Sequence, residues 1–202
     1  MNEFEKGLRQ YMGEDALRKI RSVKVGIAGA GGLGSNCAVC LVRSGFNHLR
    51  IIDFDKIEAS NLNRQFYFID QIGLLKVDAL RANLLRINPE LALETEAVFL
   101  DKTNLVEAFS DCDAVVEAVD SFALKRDLTE RYAGSGKFYV SASGLAGWGN
   151  SDAISTHRFG RDFHLVGDLV SESSKTTPPC APRVCVAAAK QADLILAWVL
   201  NK

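Results

Sequence analysis

Apolar and polar positions along the chain fall into short blocks that switch between two periods. Residues 4–20 carry Phe4, Leu8, Tyr11, Met12, Leu17 and Ile20 at helical spacing, which predicts a helix or helix–turn arm over residues 1–20. Short apolar runs at 23–28, 49–53, 114–119 and 138–142 read as strands. Residues 91–98 alternate apolar and polar, as a strand with one wet face does, and a further strand is expected near 152–157. Between them lie predicted helices over about 33–45, closed by Gly45, and over 76–87, stopped by Asn88-Pro89. Others follow at 103–109, 121–134 and 183–200. Residues 159–182 have no clear period and are rich in Ser, Thr, Gly and Pro, so they read as a loop before the final helix. Strand–helix alternation of this kind predicts an α/β fold, doubly wound, with a mostly parallel sheet and helices on both faces. No internal repeat interrupts it, and the expectation is one domain over residues 1–202.

Composition narrows the classes without choosing among them. Lys plus Arg is 24 and Asp plus Glu is 25, a net charge of −1, so nothing argues for a general nucleic-acid or membrane surface. No apolar stretch approaches the length of a membrane span, and the charged, amphipathic N-terminus lacks the apolar core of a secretory signal. The 5 cysteines are an odd number. Free thiols in a reduced, cytoplasmic setting are expected.

The first chemical signal is the glycine run that breaks the strand at 23–28. Gly29-Ala30-Gly31-Gly32-Leu33-Gly34 has the G-x-G-x-x-G spacing between a predicted strand and a predicted helix. The first glycine allows the tight turn, the next lets backbone N–H groups approach a phosphate, and the last lets helix and strand pack closely. The helix N-terminus adds partial positive charge. An acid is then expected at the end of the next strand, about 20 residues on, to hold a ribose, and Asp53 stands there. The pattern predicts a Rossmann-like nucleotide site and leaves NAD, FAD and ATP open.

The polar loop behind Asp53 separates these nucleotides. It runs Asp53-Phe54-Asp55, then Asn61-Leu62-Asn63-Arg64-Gln65, then Gly73-Leu74-Leu75-Lys76, then Ile87-Asn88-Pro89, with Asp120 after a later strand. A dinucleotide dehydrogenase needs no such amide- and arginine-bearing insert. In this ordered set the chain resembles the ThiF/MoeB family of ATP-dependent adenylyltransferases, which includes the adenylation domain of ubiquitin-activating enzymes. The segments around Arg9-Gln10 and Ala181–Val199 are similar to the family's opening and closing helices, so the resemblance covers nearly the whole chain.

That resemblance implies a reaction joining the α-phosphate of ATP to a C-terminal carboxylate, with release of pyrophosphate. The carboxylate needs no general base. Two anions must meet, so catalysis is positioning and charge stabilisation. Arg64 and Lys76 are the cations expected on the phosphates, and Asp120 is expected to hold Mg²⁺, a hard cation that prefers oxygen. Asp53 would accept from the ribose, with Asp55, Asn61 and Gln65 nearby and Gly29, Gly31, Gly32 and Gly34 forming the cradle. The resemblance also implies a homodimer in which Arg9 reaches the neighbouring subunit's triphosphate, with Phe4, Leu8, Tyr11 and Met12 packing on the partner. The implied substrate is a ubiquitin-like sulfur carrier ending in Gly-Gly that serves thiamine synthesis, with a molybdopterin-type carrier as the sibling alternative. Alternatives are a dehydratase of threonylcarbamoyladenosine in tRNA, an NAD-binding oxidoreductase and a silent partner of an activating enzyme. Near-neutral charge speaks against the tRNA substrate.

The cysteines carry two further expectations. Many family members bind zinc through two C-x-x-C pairs; here Cys37 and Cys40 form one such pair inside a predicted helix, so no structural zinc is expected. Other members place a nucleophilic cysteine before the last helix. Cys180 occupies that region, with Arg183 and the helix start expected to activate it, while Cys185 is expected to pack. His48, His157 and His164 show no ligand spacing and are read as structural.

Overall fold

The computed structural model of the chain describes residues 2–201. Its strands are β1 (Lys24–Ala28), β2 (His48–Ile52), β3 (Ala92–Glu96), β4 (Ala114–Glu117), β5 (Phe138–Ala142), β6 (Ser155–Phe159) and β7 (Phe163–Gly167). They form one sheet in the order β3-β2-β1-β4-β5-β7-β6. All neighbouring pairs are parallel except the antiparallel β6 and β7. The helices are α1 (Glu3–Met12), α2 (Glu14–Arg21), α3 (Gly32–Arg43), α4 (Lys76–Leu85), α5 (Leu105–Ala108), α6 (Phe122–Tyr132) and α7 (Ala181–Leu200). This is the doubly wound α/β fold read from the alternation.

Successive residues of a strand face opposite ways, so the central strands feed two cores. Ile27, Val116 and Val140 pack with Leu41 of α3, Leu80 of α4 and Ile195 of α7. Ala28, Val115 and Tyr139 pack with Phe109, Leu128 and Tyr132 on the α5–α6 side. Burial on both faces explains why β1, β4 and β5 read as unbroken apolar runs. The chain lays β1, β2 and β3 in one direction, then returns to place β4 on the other flank of β1. A crevice opens at such a reversal, at the carboxyl ends of the strands.

One stretch differs from the sequence reading, and the N-terminal arm takes the helix–turn form, one of the two that reading allowed. Residues 159–182 are not all loop: β7 lies inside them, behind a turn at Gly160, and pairs with both β5 and β6. The N-terminal arm is two helices, broken at Gly13 with φ +78°. Within this one chain, Asn2 caps α1 by accepting from Glu5 N–H at 2.9 Å and donates to Asn88 Oδ1 at 2.7 Å, while Met12 joins the core. Of the apolar face expected to meet a partner, only Tyr11 stands fully clear, 89% exposed. Among the described residues no helix is long and apolar enough to cross a membrane.

Candidate functional site

The crevice at the β1–β4 reversal is a cavity of about 500 Å³. Gly29, Gly31 and Gly32 form its floor, and Asp53, Asp55, Arg64, Gln65, Lys76 and Asp120 stand around it. Residues spread over more than 90 positions of sequence thus converge, most of them because they lie just past the carboxyl end of a strand or at a helix start, and Arg64 and Gln65 because the loop after β2 folds back over the crevice.

The glycine turn is built on close approach. Gly29 has φ +97°, a conformation that L side chains rarely adopt, and a Cβ on Gly34 would lie 1.9 Å from the Gly29 carbonyl oxygen. α3 therefore starts against the end of β1. No side chain caps that helix, so its first N–H groups are directed at the crevice. Two side chains brace the turn from below. Asp53 Oδ2 accepts from Ala30 N–H at 2.6 Å while its Oδ1 accepts from Asp55 N–H at 2.8 Å. The Tyr67 hydroxyl donates to the Ala30 carbonyl at 2.7 Å. Burial, then the charges of Asp53 and Asp55, push the Tyr67 hydroxyl's pKa up, so it stays a neutral donor.

The loop after β2 is clamped to α3 by two residues that the sequence reading passed over. Ser35 Oγ donates to the Gly31 carbonyl at 2.7 Å and accepts from Phe66 N–H at 3.0 Å. Asn36 donates to the carbonyls of Gly32 and Arg64, at 2.7 and 2.9 Å. Arg64 then leans on its own loop, donating to Asn63 Oδ1 at 2.8 Å. Gln65 is 8% exposed, and its buried Oε1 has no partner among the described residues. Lys76 opens α4, is 6% exposed, and is held by Asp55 at 2.7 Å. Asp55 is thus the partner of the buried cation. Asp120 is exposed, lines the crevice and has no hydrogen bond or ion pair among the described residues. The cap of α6 is Ser121, which accepts from Leu124 N–H, and this leaves Asp120 uncommitted.

Other expected residues are placed elsewhere. Asn61 accepts from Glu58 N–H at 3.1 Å in a short helical turn and does not line the crevice, because its amide is spent on capping that turn. Arg9 pairs with Glu14 at 2.5 Å and reaches no part of its own crevice. Cys180 precedes α7, its thiol 3.6 Å from the Pro178 carbonyl, and is not part of the crevice wall, which takes in Pro179 and Val184 on either side of it. Arg183, expected to activate that thiol, is buried and spends its guanidinium on Asp168 and the carbonyls of Gly149 and Asn150. Cys185 does not pack; it is exposed. Cys37 and Cys40 both lie within α3, and burial pushes their thiols up.

The structure adds a buried pair beneath the crevice that the motifs did not point to. Glu117, fully buried at the end of β4, accepts from Lys125 Nζ and from Ser141 Oγ, each at 2.5 Å. Lys125 comes from α6 and lines the crevice. Its signal in the sequence was present but faint: a lysine five positions past Asp120.

Comparisons with known proteins agree on the kind of molecule. The chain is 34% identical over 165 residues to the adenylyltransferase and sulfurtransferase UBA4 of Eremothecium gossypii, covering 79% of this chain and 37% of that protein. It is 29% identical over 133 residues to the probable adenylyltransferase/sulfurtransferase MoeZ of Mycobacterium tuberculosis, covering 65% of this chain and 34% of that one. The chain therefore spans about a third of the length of these relatives. Among solved structures, the E. coli tRNA N6-threonylcarbamoyladenosine dehydratase TcdA in complex with AMP superposes with a TM-score of 0.87, covering 97% of this chain and 93% of that one. At 20% identity that likeness speaks for the fold. E. coli MccB with MccA gives 0.72 at 25% identity, over 99% and 64% of the two chains. The model of the ThiF family matches residues 6–200, which takes in the glycine cradle, the clamped loop and the final helix alike. The chain belongs to the ThiF family.

Proposed function

We propose that this protein uses ATP to adenylate a carboxylate, with the C-terminal glycine of a ubiquitin-like sulfur carrier as the acceptor. The observation that carries this reading is the convergence of Arg64, Lys76 and the uncommitted Asp120 on a glycine cradle whose helix N-terminus is uncapped. Anionic phosphate fits that cradle, because Gly29 and Gly34 let the strand end and the uncapped helix start approach closely and leave the first N–H groups of α3 without a side-chain cap. The unpaired Gln65 amide is a second fit, since a buried polar group without a partner is supplied by what binds there. Asp120 is the carboxylate suited to Mg²⁺, which would supply charge neutralisation at the phosphates.

In the reaction a carboxylate oxygen attacks the α-phosphorus, the bond to the β-phosphate oxygen breaks, and pyrophosphate leaves. Arg64 offers a planar fork and Lys76 a compact charge to the oxygens on which negative charge grows. Asp55 keeps Lys76 extended toward the crevice rather than in water. Asp53 keeps spare lone pairs for a ribose hydroxyl while bracing the turn.

The relatives named adenylyltransferase and sulfurtransferase favour a carrier protein as acceptor. The near-complete superposition on TcdA favours a second reading, in which the carboxylate belongs to threonylcarbamoyladenosine of tRNA. The dehydrogenase alternative has no support from either. The test is isotope exchange of pyrophosphate into ATP with Mg²⁺. It would use a Gly-Gly-ended carrier of the thiamine type, one of the molybdopterin type, and tRNA bearing the modified base. Exchange with a carrier alone supports the first reading, and exchange with tRNA alone transfers the assignment to the second. Tight NAD binding without ATP binding would end both.

A further inference from the structure

We propose that Lys125 receives the acceptor's carboxylate, one end of the crevice being a subsite for the acceptor rather than for the nucleotide; this rests on the adenylation reading. Lys125 Nζ donates to Glu117 Oε2 at 2.5 Å and to the Ala142 carbonyl at 2.7 Å, which commits two of its three N–H groups. The ammonium is partly exposed and opens onto the crevice. Position decides which anion it meets. Neighbouring strands are about 4.8 Å apart, and the order β2-β1-β4-β5 sets Asp53, the glycine turn, Asp120 and Ala142 along the crevice in that sequence. Lys125, bonded to the ends of β4 and β5, lies roughly 7–10 Å beyond the glycine turn on the side away from the ribose acid. Past the end of β5 the wall includes Leu145 and Ala146, small or apolar residues that leave a slender chain room.

The chemistry suits a paired lysine. Glu117 also accepts from Ser141 Oγ and from the backbone N–H groups of Val119 and Ala142, so the carboxylate is locked and fixes Lys125 in turn. A carboxylate loses its charge when it becomes an acyl adenylate. A cation already half-neutralised by Glu117 orients the acceptor before reaction and holds the product weakly.

Removing Lys125 alone would strand a buried charge, so the informative comparison is Glu117→Gln against the double variant Glu117→Gln with Lys125→Met. Glu117→Gln keeps Lys125 as the one charge at the strand ends, the double variant carries a neutral pair of similar size there, and melting temperatures check that both fold. The probe is a fluorescent nine-residue peptide ending in Gly-Gly, with its C-terminal amide as twin, titrated by anisotropy in the presence of ATP. Wild type and Glu117→Gln are expected to bind the carboxylate form at least tenfold more tightly than the amide. The double variant is expected to bind both alike, with ATP affinity equal to that of Glu117→Gln. Retained preference in the folded double variant overturns the assignment, as does absent preference or absent peptide binding in wild type. Failure of wild type to bind ATP, read separately, overturns the adenylation reading itself.

Discussion

Lys76 and Asp120 face the same cavity under opposite conditions. Lys76 is buried and ion-paired, its direction imposed by Asp55, whereas Asp120 is exposed and unpaired on a turn whose capping duty falls to Ser121. Both arrangements leave a charge available to a ligand, one by orientation and one by vacancy of partners. Arg64→Ala, Lys76→Ala and Asp120→Ala should each lower acceptor-dependent pyrophosphate exchange about 10²-fold, the scale of one removed charge stabiliser. Cys180→Ser should leave that exchange at the wild-type rate, because the thiol lies outside the crevice wall. Parallel rate measurements on the four variants decide both points. At this scale the sequence showed Arg64, Gln65, Lys76 and Asp120 through motif order. It did not show Lys125, whose position depends on a buried partner eight residues away.

Among the elements, the segment after β7 is held by a single ionic brace. Arg183 at the start of α7 binds Asp168, and Asp168 Oδ1 also accepts from the N–H groups of Val170 and Ser171, at 2.9 and 2.8 Å. Burial alone would raise the Asp168 pKa. The hydrogen bonds from Ser171 and Val170, with Arg183, outweigh it and hold the group at about 2. A carboxylate depressed in the folded state contributes stability that is present above its unfolded value, about 3.9, and lost as pH falls toward the folded value. Thermal stability should therefore drop between about pH 4 and pH 2. Asp168→Asn should remove that part of the drop while lowering stability at neutral pH, as read by melting temperature across the pH series. The same segment explains the misread loop. β7 is five residues long and half-hidden behind a hairpin turn, and its pairing partner β5 lies over 20 positions upstream, so local periodicity carried little of it.

For the whole molecule, the N-terminal arm decides how far one subunit is complete. α1 is anchored on its own chain, yet Arg9 points to Glu14 and Tyr11 to solvent. An arginine supplied across a two-fold axis would complete the triphosphate site only in a dimer. Mixing Arg9→Ala protein with Lys76→Ala protein should then restore about half of wild-type exchange per hybrid dimer, and about a quarter in an equal, fully exchanged mixture, because one site collects both defects and the other is intact. Activity measured after proven subunit exchange checks this, and no recovery would confine Arg9 to its pair with Glu14.

Much of this protein was determined locally. Alternating strand and helix periods, the glycine turn and the ordered motifs behind Asp53 specify the fold and most of the crevice, because each depends on residues within one or two turns of chain. Tertiary structure alone decided which of those residues share the cavity. Asn61 was drawn into capping its own turn, Arg183 was taken by Asp168, and α1 was tied through Asn2 to Asn88. Glu117 and Lys125 were brought together under the crevice in the same way. A polar side chain's task is set by the partners it finds when the chain closes, and in a parallel sheet those partners come from distant strands.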